Sequence, residues 1–222
     1  MQIQECVFPD TLYYDIENFI WFDIDFDTKT AIVGLTPILL SISGKLIKIK
    51  LKEVGSLITR GKSIGTIESN RYFNSIRIPF SGRIVSINNI LTKNPKTVNN
   101  SPYDHGWLAK IYVDNIDDVK NFKKSSECSN ELKDIISEYH VRCFKEFPDH
   151  ELFEIGTECA ATLVKLDELL SKIDLNDVVY LVSDDITADL ELTRWAQENN
   201  QQIVEIRKGT SNLFHILVKK TS

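Results

Sequence analysis

The sequence predicts a β-rich first half joined through a helix to an α/β second half. In detail, it predicts an N-terminal all-β flattened barrel with short helices over residues 1–124, a helical connection over 125–150, and a C-terminal α/β two-layer sandwich of order βαβαββ over 151–222. Three observations lead there. Short alternating runs flank a polar tip between Ile64 and Ile78. The segment Ser43-Gly44-Lys45-Leu46-Ile47-Lys48-Ile49 is echoed by Ser81-Gly82-Arg83-Ile84-Val85-Ser86-Ile87, as expected of two equivalent units burying one core. In the last third, the apolar run VVYLV over Val178–Val182 lies between stretches with helical spacing and suits a central strand.

The chain has 222 residues, 42% hydrophobic and 26% charged, an ordinary balance for a core-forming protein. Its net charge of −6, with no basic block to offset it, argues against general phosphate or nucleic-acid binding. Residues 1–119 hold 13 Lys and Arg against 13 Asp and Glu, whereas residues 120–222 hold 13 against 19, which suggests two modules. Cys6, Cys128, Cys143 and Cys159 form no CxxC pair. With no charged-then-apolar leader and no apolar stretch long enough for a membrane span, the expectation is a cytoplasmic protein with reduced thiols.

In order along the chain, residues 8–33 give two strand-like runs around a turn at Asp25–Lys29, rich in Asp and Thr. Residues 34–43 read as a short helix and turn. Ile64, Thr66 and Glu68 then alternate on one run, and Ile76, Ile78 and Phe80 on the next, forming a hairpin with Ser69-Asn70-Arg71 at its tip.

Several segments across about residues 8–124 keep a common order and spacing: Phe8-Pro9-Asp10, Ala31-Ile32-Val33-Gly34-Leu35-Thr36, Glu53-Val54-Gly55, Pro79-Phe80-Ser81-Gly82 and Tyr103-Asp104-His105-Gly106-Trp107. In these the module resembles the glycine cleavage system H protein, a lipoyl-domain-like barrel-sandwich hybrid. The resemblance implies a hairpin-tip lysine, in an E-S-x-K setting, that carries lipoate through an amide. Here Glu68-Ser69-Asn70 is followed by Arg71, whose guanidinium stays protonated and cannot serve as that amine. No lipoyl group is expected. The tip with Tyr72 and Phe73 is similar to H-like lipoate-binding proteins associated with sulfur oxidation. These two rings serve either to pack on the module or to touch a partner, and Arg71 is otherwise a solvated surface charge.

From Glu131, the residues Leu132, Ile135, Ile136, Tyr139, Cys143, Phe144 and Phe147 recur at helical spacing until Pro148, predicting an amphipathic connecting helix. His140 and Cys143, with Cys128 and His150, lack the tight ligand pairs and turn residues of a zinc site, so no metal is expected.

Beyond Glu151, a strand to Ile155 precedes a helix over 160–173, and Asp184-Asp185 introduces a second helix near 188–198. Strands over 202–207 and 213–219, separated by Lys208–Asn212, read as a hairpin. Cys159 falls where the first strand-turn meets the first helix, where unpaired N–H groups favour a thiolate, and Gly156 permits the tight approach. Leu152, Gly156, Cys159, Asp184-Asp185, Gly209 and the 213–219 strand together resemble the TusA-type sulfur carriers. That resemblance implies a persulfide on the cysteine. The family's Cys-Pro-x-Pro reads Cys159-Ala160-Ala161-Thr162 here, and Glu154 and Glu158 would oppose a thiolate.

Three functions follow. The first is a sulfur relay with a persulfide on Cys159 and a non-lipoylated docking module, whose partners are sulfur donor and acceptor proteins. The second is a non-catalytic adaptor bound to lipoyl-dependent or sulfur-oxidation enzymes. The third is a working glycine cleavage H protein. No nucleophile–base pair, phosphate loop or paired carboxylates point to an enzyme, and neither nucleic acid nor membrane is an expected partner.

Overall fold

The computed structural model describes residues 1–209 and 212–222, which separate into two compact units, 1–143 and 144–222. Residues 210 and 211, inside the loop expected over Lys208–Asn212, lie outside the described residues.

The first unit opens with a two-strand hairpin, β1 (Gln2–Ile3) and β2 (Cys6–Val7), turned by Gln4 and Glu5, both at positive φ. There follow β3 (Tyr13–Asp15), β4 (Ile20–Asp25), β5 (Thr30–Leu35), α1 (Pro37–Ser43), β6 (Leu46–Leu51), β7 (Leu57–Ile58), β8 (Ser63–Ser69) and β9 (Phe73–Arg77). Next come β10 (Gly82–Ile87), α2 (Ile90–Lys93), α3 (Thr97–Asn100), β11 (Ala109–Val113), β12 (Lys123–Lys124) and α4 (Ser129–Glu138).

Two larger sheets result, of order β12-β3-β4-β5-β11-β10-β7 and β6-β8-β9. The turn between β4 and β5 is the one expected: the Asp25 carboxylate accepts from the backbone N–H groups of Asp27 and Thr28. The smaller sheet buries one face, with Leu46, Ile49, Ile67 and Ile76, whereas the larger buries Phe22, Val33, Ile84 and Ile111 on one face and Tyr14 and Trp21 on the other.

The repeated heptad is a structural echo as well. Leu46 and Ile84 are buried, and the register shifts immediately after each, at Ile47 and at Val85, both exposed. One copy starts β6 and the other starts β10, in different sheets.

The hairpin is β8–β9. Ile64 does not share a face with Thr66 and Glu68 as the alternation suggested. A register shift between Ser63 and Gly65 lets Ile64 and Ile67 both turn inward while Thr66 and Glu68 stay half-buried.

The connecting helix is shorter than expected and belongs to the first unit. α4 ends at Glu138, and His140 at φ 50° breaks the helical path, so Cys143, Phe144 and Phe147 are not on it. Its stripe of Leu132 and Ile136 packs in one cluster with Ile3, Cys6, Phe8, Trp21 and Ile38. Cys6 and Cys143 are joined by a disulfide, which corrects the expectation of four reduced thiols; Cys128 and Cys159 are free and buried. The two partners are 137 residues apart, a separation at which sequence spacing carries no signal.

In the second unit, β13 (His150–Glu154), α5 (Cys159–Leu170), β14 (Val178–Ser183), α6 (Ala188–Glu198), β15 (Gln202–Lys208) and β16 (Phe214–Lys219) form the strand and helix order read from the sequence. The sheet order is β13-β14-β16-β15, with β13 parallel to β14 and the other pairs antiparallel. Every residue of β14 is buried, as its apolar run requires. Leu166, Leu170, Leu192 and Trp195 from α5 and α6 cluster with Val179, Leu181, Ile216 and Val218 on one sheet face. The other face holds Val178, Tyr180, Val182 and Leu217, with Phe144 packed against them. Among the described residues, no helix is long and apolar enough to cross a membrane.

Candidate functional site

The hairpin tip is built by backbone first. Ser69 N–H donates to the Tyr72 carbonyl at 2.8 Å, closing the turn Ser69-Asn70-Arg71-Tyr72. Ser69 is buried, and its hydroxyl donates to the Ser43 carbonyl at 2.6 Å, tying the tip to the end of α1. Asn99 joins there too, accepting from Leu46 N–H at 2.9 Å and donating to the Gly44 carbonyl at 3.1 Å.

Arg71 is exposed at this tip but is not a freely solvated charge. Its Nη2 donates to the Ser41 carbonyl at 3.1 Å, in the last turn of α1. Carbonyls at a helix C-terminus are left without intrahelical partners and carry partial negative charge, so a guanidinium is well placed there. The approach depends on Gly44: a Cβ at that position would lie 3.1 Å from Arg71 Nε and 3.2 Å from Cζ, and its φ is +76°. Nothing local in the sequence ties Ser41 or Gly44 to Arg71, since both lie about thirty residues before it.

Of the other tip residues, Glu68 pairs with Lys48 at 3.5 Å, and Tyr72 is half-buried with its hydroxyl accepting from Asn74 Nδ2 at 2.8 Å. Phe73 is 69% exposed, so its apolar ring stands in solvent rather than packing onto the module.

Cys159 lies at the first residue of α5, as expected, and Gly156 before it has φ +74°. The local chemistry is the reverse of that expected. Cys159 is only 4% exposed. The positive helix end is already satisfied by a carboxylate: Asp185 Oδ2 accepts from Cys159 N–H at 2.8 Å, and Asp184 Oδ1 accepts from Gly156 N–H at 2.8 Å. Burial pushes the thiol up to about 12, helped by a hydrogen bond to Glu191 and by the charges of Glu191 and Asp185. The sequence places the Asp pair at the start of α6; its role as a surrogate cap for α5 comes from folding. Glu154, expected to oppose a thiolate, is buried and paired with Lys165 Nζ at 2.6 Å.

Three of the four residues with metal-ligand chemistry are otherwise engaged, and His140 is exposed just past the end of α4. Cys143 is in the disulfide, Cys128 Sγ donates to the Lys124 carbonyl at 3.1 Å, and His150 Nε2 lies 2.9 Å from Asp177.

Residues 12–135 match the family model described as glycine cleavage H-protein. A probable glycine cleavage system H protein 2 of Sulfolobus acidocaldarius is 34% identical over 140 residues, 62% of this chain and 93% of the relative. The glycine cleavage system H protein 2 of Aquifex aeolicus is 34% identical over 142 residues, 64% of this chain and 88% of the relative. Among solved structures, the glycine cleavage system H protein of Mycobacterium marinum aligns with TM-score 0.51 and 27% identity, covering 56% of this chain and 98% of that one. The matched region of the family model lies wholly within the first unit.

Proposed function

We propose that this chain, which belongs to the glycine cleavage H-protein family, is a docking adaptor that carries no lipoyl group. Arg71 carries this reading. It occupies the third position after Glu68 at the hairpin tip, and its guanidinium is folded onto the Ser41 carbonyl. Forming an amide with lipoate needs a nitrogen that can lose its proton and attack; a guanidinium stays protonated. The residues at the tip therefore do not fit the group, and no step is assigned to it. What remains is a hairpin presenting the exposed Phe73 to a protein partner, a lipoyl-dependent or sulfur-oxidation enzyme. Intact-mass measurement after incubation with a lipoate ligase tests this. An unchanged mass is expected, and one lipoyl addition would make the chain a working H protein.

The second unit is read as related to the TusA-type sulfur carriers. Its element order and a cysteine at the first residue of α5 support that relation. A persulfide on Cys159 would require an accessible thiolate, and both the burial and the raised thiol oppose it. The adaptor reading therefore leads over the sulfur relay. Incubation with polysulfide followed by mass spectrometry separates them: a sulfur atom gained on Cys159 of the native chain restores the relay.

A further inference from the structure

The near-neutral balance of residues 1–119 averages away a segregated charge. Residues 45–83 hold nine Lys and Arg against two Asp and Glu, while the rest of the chain holds 17 against 30. The expectation that no basic block offsets the net negative charge is thereby corrected.

Folding places part of that segment on one open face. In the β6-β8-β9 sheet, Lys48 pairs across with Glu68 and Glu68 with Phe73; the next row is Lys50, Thr66 and Ser75, and Arg77 lies opposite Ser63. Directly opposed residues share a face, as do alternate residues of a strand, so these side chains stand together. Lys48, Lys50, Phe73 and Arg77 are exposed, whereas the opposite face buries Leu46, Ile49, Ile67 and Ile76. The open face carries three cations, one carboxylate and one exposed ring, beside the tip at Arg71.

We propose that this face is the docking surface, and that it takes an acidic protein surface with an apolar recess for Phe73. The inference rests on the adaptor reading above and names the chemistry of its partner. Complementary charge steers the encounter, and desolvating the ring supplies attraction that does not fade with salt. A nucleic-acid strand suits the face less well. One exposed ring gives no stacking platform for successive bases, whereas a single apolar recess on a folded partner matches it.

The test is fluorescence anisotropy with the full chain and three labelled probes: poly-L-glutamate, a random Glu–Tyr copolymer and oligothymidylate. The copolymer is expected to bind most tightly. Lys48→Glu, Lys50→Glu and Arg77→Glu combined should weaken both acidic polymers by about tenfold or more, since each reversal turns an attraction into a repulsion. Phe73→Ala should remove the copolymer's advantage over poly-L-glutamate. Should the triple variant not fold, Lys50→Gln and Arg77→Gln combined must still weaken poly-L-glutamate. Tighter binding of oligothymidylate than of either polymer, or unaltered binding by the folded charge variants, overturns the proposal. Intact mass of the same sample keeps the two readings apart: a lipoyl group on the chain defeats the adaptor reading whatever the polymers do, while lost selectivity on an unmodified chain defeats this surface alone.

Discussion

The carboxylate of Asp185 accepts a hydrogen bond from the backbone N–H of Cys159 at 2.8 Å, filling the helix end where an anionic sulfur would gain its stabilisation. An N–H already paired with one anion has little left to give a second, and the two negative charges would repel. Alkylation of Cys159 by iodoacetamide, read by peptide mass spectrometry, should be slow at pH 8 and still rising near pH 10. Moving from the ordinary 9.0 to about 12 lowers the thiolate fraction roughly a thousandfold at neutral pH. Glu191→Gln should speed the reaction, because it removes the hydrogen-bonded charge; an unchanged rate would leave burial and the Asp185 charge as the causes.

The same thiol makes stability fall in alkali. Its proton is held more tightly in the folded chain than in the unfolded one, so the folded chain binds more protons between about 9 and 12. The contribution is complete below 9 and is lost as pH rises toward 12. Urea titrations at pH 8 and pH 10.5 should show a larger drop for the native chain than for Cys159→Ala.

Arg71→Lys isolates the chemistry of the tip. The substitution restores an amine at the turn while leaving the hairpin strands untouched, so a lipoate ligase is expected to modify the variant and not the native chain. Arg71→Ala removes the cation that donates to the last turn of α1 and should cost about 0.3–1 kcal/mol, seen as a lower melting temperature.

Gly65→Ala and Gly82→Ala should each destabilise the first unit by about 1–3 kcal/mol. At both positions a Cβ would come within 2.2 Å of a neighbouring backbone oxygen, that of Lys50 for Gly65 and that of Tyr112 for Gly82. Backbone cannot rotate away as a side chain can, so strand spacing must give. Chemical denaturation of both variants checks the size of the loss.

Reduction of the Cys6–Cys143 bridge should lower stability by about 2–4 kcal/mol, since it frees a very long loop in the unfolded chain. The paired variant Cys6→Ser, Cys143→Ser should match the reduced native chain in a denaturant melt, and treatment with reductant should leave that variant unchanged. A native chain indifferent to reductant would contradict the bridge.

Local order was legible in the residues themselves. The polar tip between alternating runs became the β8–β9 hairpin, the apolar VVYLV run became the fully buried β14, and the repeated heptad became two strands with matching bulges at Ile47 and Val85. Each depends on period and turn chemistry within a few residues, so the linear chain contains the whole signal. That Arg71 stands at the tip was legible as well, while the lysine it stands in for was implied only by the resemblance of the surrounding segments to the H-protein family.

The environment of each candidate side chain was a different matter. The chain by itself determined that Arg71 and Cys159 occupy a hairpin tip and a helix start. Tertiary structure alone decided that the first is held by Ser41, that the second is sealed beneath Asp185 and Glu191, and that Lys48, Lys50 and Arg77 share a face with Phe73. Propensity and period are properties of adjacent residues, whereas burial, charge pairing and disulfide partners arise between groups that only folding brings together.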